Sequence, residues 1–119
     1  MKIIITNLTG EVTDNRRLTP CRGRLKSSVA YRAWKEEQIY LVRQQFNKLR
    51  GYQATFEDQQ PYCVEIYMQN KRTDQANWDK GIRDVLTQAG CWNDDKWWYP
   101  IYTPCKIDAN NPRAEIYIN

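Results

Sequence analysis

Between positions 71 and 95 the chain reads K-R-T-D-Q-A-N-W-D-K-G-I-R-D-V-L-T-Q-A-G-C-W-N-D-D. Asp74 stands just before a helical pattern, Lys80 falls in its first turn, and the pair Asp94 and Asp95 follows shortly after its end. Carboxylates suit Mg²⁺, a hard cation that takes one or two of them and fills its other positions with water and substrate phosphate. Such an ion can activate water and neutralise charge growing on a phosphodiester during in-line displacement. A nearby lysine can stabilise the same charge or the leaving oxygen. The plainer alternative is that these are solvated charges, with Asp79 favouring the helix N-terminus and Lys80 a surface lysine.

Composition narrows the chemistry further. There is no histidine among the 119 residues, which removes Ser-His-Asp hydrolysis, Cys-His proteolysis and nucleases with a histidine base. Cys21, Cys63, Cys91 and Cys105 are scattered, with no C-x-x-C pair, and read as free buried or half-buried thiols rather than a zinc site or disulfide framework. Catalysis must therefore run on carboxylates, lysine or a metal held by oxygen. Charge is unevenly placed. Residues 15–50 hold ten Lys or Arg against Glu36 and Glu37, a balance of +8, whereas residues 51–119 hold seven basic and ten acidic residues, a balance of −3. A basic half joined to an aspartate-rich half suits a polyanion held over a carboxylate site, although an ordinary solvated helix face reads the same way.

The elements that must position these residues fit one domain spanning residues 1–119, with no linker or repeat. Residues 2–8 alternate as a strand, with Ile3 and Ile5 on one face. Residues 13–26 contain Pro20 and Gly23 among basic residues and read as an exposed loop. A helix follows, capped by Ser28, carrying Tyr31, Trp34, Leu41, Val42, Phe46 and Leu49 at helical spacing and stopped by Gly51. Residues 62–68 form a strand, and a second helix covers residues 78–89 with Asn77 as N-cap, Ile82, Val85, Leu86 and Ala89 as its buried stripe, and Gly90 as its stop. Two further strands are expected at 97–103, where Pro100 argues for an edge or a bulge, and at 114–118. The order β-α-β-α-β-β predicts an α+β fold, one mixed sheet with two main helices packed on it.

The helix over 78–89 is roughly 18–20 Å long at ~1.5 Å per residue. Residues 90–95, extended at ~3.3 Å each, just reach back along its side. Asp95 can thus meet Asp74 within one subunit, or the site can be completed across a dimer. The apolar run Ile3-Ile4-Ile5 is too short for a signal peptide and nothing approaches a membrane span. The cytoplasm is the expected location.

The 74–95 segment resembles the RusA-type Holliday-junction resolvases, or crossover junction endodeoxyribonucleases. That family carries D-x-D-N-x-x-K-x-x-x-D-x-L and then G-x-W-x-D-D; this chain has D-Q-A-N-W-D-K-G-I-R-D-V-L and then G-C-W-N-D-D. The correspondence is gap-free and holds at Asp74, Asn77, Lys80, Asp84, Leu86, Gly90, Trp92, Asp94 and Asp95. Upstream, N-R-R-L-T-P-C-R-G-R and A-Y-R-A-W resemble the family's Asn- and Arg-rich loop and first helix. The resemblance implies a homodimer that binds four-way DNA junctions by shape and makes paired nicks with Mg²⁺, Mn²⁺ being a possible substitute. Many members are prophage-encoded.

By the same resemblance, Asp74 and Asp95 are metal ligands, Lys80 is the catalytic lysine, and Asp94 is a further candidate ligand. One position departs: Ala76 stands where the family has its second aspartate, and a methyl group binds no metal. Either Asp79, Asp94 or Glu65 substitutes, or the protein cleaves poorly, or it is a junction-binding protein only. A protein sharing the fold but acting on RNA or in regulation is the third reading. Arg16, Arg17, Arg22, Arg24 and Lys26 are candidate phosphate contacts, with Lys71 and Arg72 near the scissile bond. Trp97, Trp98 and Tyr99 either stack on unpaired bases or belong to the core or a dimer interface.

Overall fold

Strand β4 (Gln60–Met68) sets the architecture, because its alternation buries Tyr62, Val64, Ile66 and Met68 on one face. A computed structural model describes residues 2–13, 18–21, 24–49, 60–71, 75–92, 96 and 98–118, with positions 18–21, 24–27, 48–49 and 75–76 described by backbone alone. Strand β4 is flanked on one side by β7 (Arg113–Tyr117), antiparallel, and β7 pairs in turn with β1 (Lys2–Thr6), also antiparallel. On the other side it pairs in parallel with β5 (Trp98–Tyr102) and then, beyond that strand's end, with the two-residue β6 (Lys106–Ile107). The mixed sheet thus runs β1-β7-β4-β5. Ile3, Ile5, Ala114 and Ile116 fall in register with the buried residues of β4 and join them in one core with the two helices.

Helix α1 (Val29–Leu49) starts where the sequence predicts, the Ser28 hydroxyl accepting the Tyr31 N–H at 3.1 Å. Its inward stripe contains Tyr31, Trp34, Val42 and Phe46, and also Gln38, which is 0% exposed and interrupts the apolar pattern. The reason is the sheet edge. Strand β1 has β7 on one side only, and α1 closes the other side with side-chain amides. Gln45 accepts the Ile4 N–H at 2.7 Å and donates to the Ile4 carbonyl at 2.8 Å. Gln38 accepts the Thr6 N–H at 2.9 Å and donates to the Thr6 hydroxyl at 3.0 Å, while the Trp34 indole donates to the Thr6 carbonyl at 2.9 Å. These groups stand in for a neighbouring strand and block edge-to-edge pairing.

Helix α2 (Asp79–Gln88) returns the chain from the carboxyl end of β4 to the start of β5. It meets α1 at Gly81, where an added methyl would come within 3.2 Å of the Trp34 ring. Glycine costs a helix interior about 1 kcal/mol relative to alanine, and here it permits the close crossing. Arg43 donates to the last carbonyl of α2, that of Gln88, at 3.1 Å, satisfying a C-terminal acceptor with a cation. Gly90, with φ of +89°, ends α2 as expected. Its N–H bonds the Thr87 carbonyl and the Cys91 N–H bonds the Leu86 carbonyl, both at 3.1 Å, so a left-handed residue reverses the chain.

Several expectations need correction. The basic segment 13–26 is not simply a loop: its backbone pairs as an antiparallel ribbon of β2 (Leu18–Cys21) and β3 (Arg24–Ser27). Proline at position 20 is compatible with this because both strands of a two-stranded ribbon are edges. Asn77 is not the N-cap of α2. It lies within a 3-10 turn, Gln75–Trp78, and Trp78 takes the cap position with no side-chain bond. Cys63 is exposed rather than buried, while Cys91 is buried and Cys105 intermediate, all three as free thiols; burial pushes the Cys91 thiol up to about 12. The expected stop at Gly51 lies outside the described residues. Pro100 does occupy an edge strand. The Thr103 N–H points to the Val64 carbonyl, so by alternation the missing N–H of Pro100 faces away from β4 and costs no ladder bond.

Replacing Gln38 with alanine leaves the half-buried Thr6 N–H without its acceptor. Urea unfolding of Gln38→Ala is expected to show a loss of about 1–3 kcal/mol, appearing as a shifted midpoint with an unchanged slope.

Candidate active site

The β4-α2-β5 crossover defines where chemistry can sit. In such units the loop leaving the carboxyl end of a strand and entering a helix N-terminus forms the usual ligand crevice. Here that loop is residues 69–78, which carry Lys71, Arg72, Asp74 and Ala76. Lys71 is exposed in the turn after β4. The loop is tied down at its far end by Trp78, buried, whose indole donates to the Thr9 carbonyl at 3.3 Å. Thr9 follows β1, so this bond fixes the entry of α2 to the first strand's end of the sheet.

Lys80 occupies the first turn of α2 with 52% of its side chain exposed. Its ammonium lies 3.7 Å from Asp84, one turn along, a long contact worth only a few tenths of a kcal/mol at an exposed site. The lysine is therefore placed in the helical turn that follows the loop. Asp79 differs. One of its oxygens accepts the Tyr102 hydroxyl from β5, in a short hydrogen bond, and the other pairs with Arg83 at 3.0 Å. Burial, then the bond to Asp79, raises the Tyr102 hydroxyl well above the usual phenol range, so it stays a proton donor. Both carboxylate oxygens of Asp79 are thus engaged in tying α2 to β5. The i,i+4 spacing of Asp79 and Arg83 is visible in the sequence; the tyrosine, 23 residues away, carries no local signal.

At the other end of α2, Trp92 is buried, donates to the Thr87 hydroxyl at 2.9 Å and stacks on Trp98 with ring centres 4.7 Å apart. Tyr62 lies 5.1 Å from the same ring. Trp98 is therefore core, which removes it as a surface for stacking bases, whereas Tyr99 is exposed. The connection carrying Asp94 and Asp95 is anchored before and after by this tryptophan pair, near the amino ends of β4 and β5. The loop carrying Asp74 leaves the carboxyl end of β4. Between them stands α2, ten residues long and hence about 15 Å.

Of the expected catalytic residues, Lys80 alone is described. Asp74, Asp94 and Asp95 lie outside the described residues, as do Arg16, Arg17, Arg22, Arg72 and Trp97, while Arg24 and Lys26 are placed by backbone only, in β3. Among the described residues no group of three or more His, Cys, Asp or Glu comes together. Two of the three proposed substitutes for the missing carboxylate are among the described residues. Asp79 is engaged by Tyr102 and Arg83. Glu65 lies at a β4 position whose side chain faces away from the buried core, where it accepts the Tyr67 hydroxyl at 3.3 Å. The sequence has no histidine, and the aspartates carried by the loop and by the connection after α2 are oxygen donors. An oxygen donor set fits a hard cation better than zinc.

If Asp79 is structural, its removal should affect stability and spare metal binding. Asp79→Asn and Tyr102→Phe are each expected to lower stability by roughly 1–2 kcal/mol, with the double variant losing less than the sum. Calorimetric Mg²⁺ titration of Asp79→Asn should match the wild type.

The geometry of the crossover can now be set beside known proteins. The family model described as Endodeoxyribonuclease RusA matches residues 9–119. No curated protein matches the chain. The family match begins just after β1, spans the ribbon, both helices and the crossover loop with its Asp74, Lys80, Asp94 and Asp95, and ends with the last strand. With a carboxylate-flanked α2 inside a match of that extent, the chain belongs to the RusA family of endodeoxyribonucleases.

Proposed function

We propose that this protein is a divalent-metal-dependent endonuclease that resolves four-way DNA junctions by paired nicks, acting in the cytoplasm as a homodimer. The observation that carries the reading is the family match over residues 9–119. Asp74 and Asp95, with Asp94 as the third candidate, would hold Mg²⁺ or Mn²⁺. When bound, the cation supplies water activation and neutralises charge on the scissile phosphate. Lys80, solvent-facing in the first turn of α2, would then reach a phosphate or leaving oxygen. Arg16, Arg17, Arg22, Arg24, Lys26, Lys71 and Arg72 would contact the DNA backbone, giving affinity that falls steeply with salt.

Two arguments support a dimer. A four-way junction presents equivalent strands, which a two-fold assembly can cut symmetrically. The anchors of the Asp74 loop and of the Asp94-Asp95 connection also lie toward opposite ends of α2, which favours completing each site with carboxylates from both copies.

A labelled four-way junction incubated with and without Mg²⁺ tests the activity. Paired nicks that need the metal support it; binding to linear duplex as tight as to the junction, without nicks, overturns it. Asp74→Asn should abolish nicking while junction binding stays intact or tightens slightly, because one negative charge near the phosphates is lost.

The second reading is a catalytically weakened junction-binding protein. It is favoured by Ala76 together with the engagement of both Asp79 oxygens by Tyr102 and Arg83. Under either reading Ala76→Asp should tighten Mg²⁺ binding by about tenfold, because carboxylate count tunes cation affinity over decades. It should also raise the single-turnover rate. A neutral or harmful effect, with Asp94→Asn inactive, would show that Asp94 already serves as the missing ligand.

A further inference from the structure

Helices α1 and α2 are held together at two places and part between them. At one, Gly81 lies against the Trp34 ring, and a methyl added there would also stand 3.5 Å from the Tyr31 hydroxyl. At the other, Arg43 donates to the Gln88 carbonyl at 3.1 Å. The gap is a cavity of about 290 Å³ lined by Tyr31, Arg32, Lys35, Glu36, Ile39 and Gln88. That volume lies at the small end of ligand sites, which begin at roughly 300 Å³. Because both ends of the gap are pinned, its shape is set by the fold.

The lining divides by chemistry. Tyr31, buried, and Ile39, half-buried, supply the apolar part. Arg32, exposed, and Lys35, half-buried, stand on the same stripe of α1 at the spacing that makes helical neighbours. Neither pairs with a carboxylate among the described residues. Glu36 follows Arg32 by four residues, the weaker order for a helical ion pair, and leaves it unpaired. The Gln88 amide closes the opposite wall, able to donate and to accept. An apolar pocket with two uncommitted cations at its edge and two polar readers is the complement of a nucleotide.

We propose that this cavity holds one unpaired nucleotide of the DNA substrate, its phosphate on Arg32 and Lys35 and its base between Tyr31, Ile39 and the Gln88 amide. The inference rests on the junction reading above and deepens it by naming where a strand is read. A base paired within a duplex has no free edge for Gln88, whereas one already unpaired enters at little cost. The site thereby favours branched over linear DNA. Glu36 suits the base and not the phosphate, since a carboxylate accepts from an exocyclic amino group. Lys80, Asp84 and Gln88 recur at four-residue spacing and so share one side of α2. Gln88 lies about 12 Å beyond Lys80 along the helix, the span of roughly three to four stacked nucleotides at ~3.4 Å each. The nucleotide read is therefore that far from the phosphate that Lys80 would meet.

Binding of the full chain to labelled four-way junctions without divalent metal tests the proposal. A series of junctions carries one abasic position each, stepped away from the crossover along the two equivalent strands. One position is expected to weaken wild-type binding roughly tenfold, the loss of one base contact. In Gln88→Ala the same abasic position should cost nothing further. Arg32→Ala with Lys35→Ala should weaken binding to every junction alike and reduce the salt slope by roughly one to two. Thermal melts check that these variants, altered at exposed or half-buried side chains, remain folded. A wild type indifferent to every abasic position, or an abasic cost that Gln88→Ala leaves unchanged, would overturn the nucleotide site while leaving the junction reading intact. A wild type that binds junction and linear duplex equally would overturn the junction reading and the site with it.

Discussion

The arrangement depends on what Trp34 does at two ends at once. Its indole N–H is bound to the Thr6 carbonyl at the open edge of β1, and its six-membered ring forms the wall against which Gly81 brings α2. One side chain thereby fixes α1 to the sheet edge and α2 to α1. A tryptophan held by a hydrogen bond has little rotational freedom left, so the helix resting on its far edge inherits that rigidity. Any side chain at position 81 would force ring or helix to move by several tenths of an ångström. Lys80 is the neighbouring residue, which makes the position of this candidate lysine a consequence of how tightly two helices cross.

Much of this was legible in the sequence where one local signal acted alone. The Ser28 cap, the alternation of Val64, Ile66 and Met68, the stripe of Ile82, Val85 and Leu86, and the stop at Gly90 each follow from a single rule of spacing or backbone geometry, and each holds. The failures occur where a distant partner decides. Gln38 breaks the apolar stripe of α1 because the edge of β1 needs an amide there, a demand that arises 32 residues away. Asn77 has the right chemistry for a cap, yet the indole of Trp78 is drawn to Thr9, and the chain enters α2 through a 3-10 turn. The ribbon of residues 18–21 and 24–27 was hidden because its strands carry basic residues and a proline in place of an alternating apolar pattern.

The candidate site was legible as a motif and not as a geometry. Asp74, Lys80 and Asp95 were singled out by type, spacing and resemblance to the family motif, but nothing in the sequence separates a carboxylate that holds the fold from one that could hold a metal. Asp79 shows the difference. It sits in the motif beside Lys80, and from spacing alone it could fill the gap left at Ala76. The hydroxyl of Tyr102 and the guanidinium of Arg83 engage both of its oxygens in holding α2 to β5, and a cation there would compete with those contacts. The acidic residues of this chain are divided between fixing α2 and whatever chemistry occurs at its ends.

That division has a consequence for how a depleted site can work. With Ala76 contributing nothing and Asp79 committed, the carboxylates left for a cation come from the loop before α2 and the connection after it. A helix of about 15 Å, held by Tyr102 at one end and by Arg43 and the Trp92–Trp98 stack at the other, cannot shorten to bring those two segments together. In a single copy the burden then falls on the reach of a few connecting residues. In the proposed dimer, carboxylates from two copies would complete a site with both helices left as they are. The rigidity of α2 is therefore a physical argument for the proposed dimer, in which each site would draw on both copies.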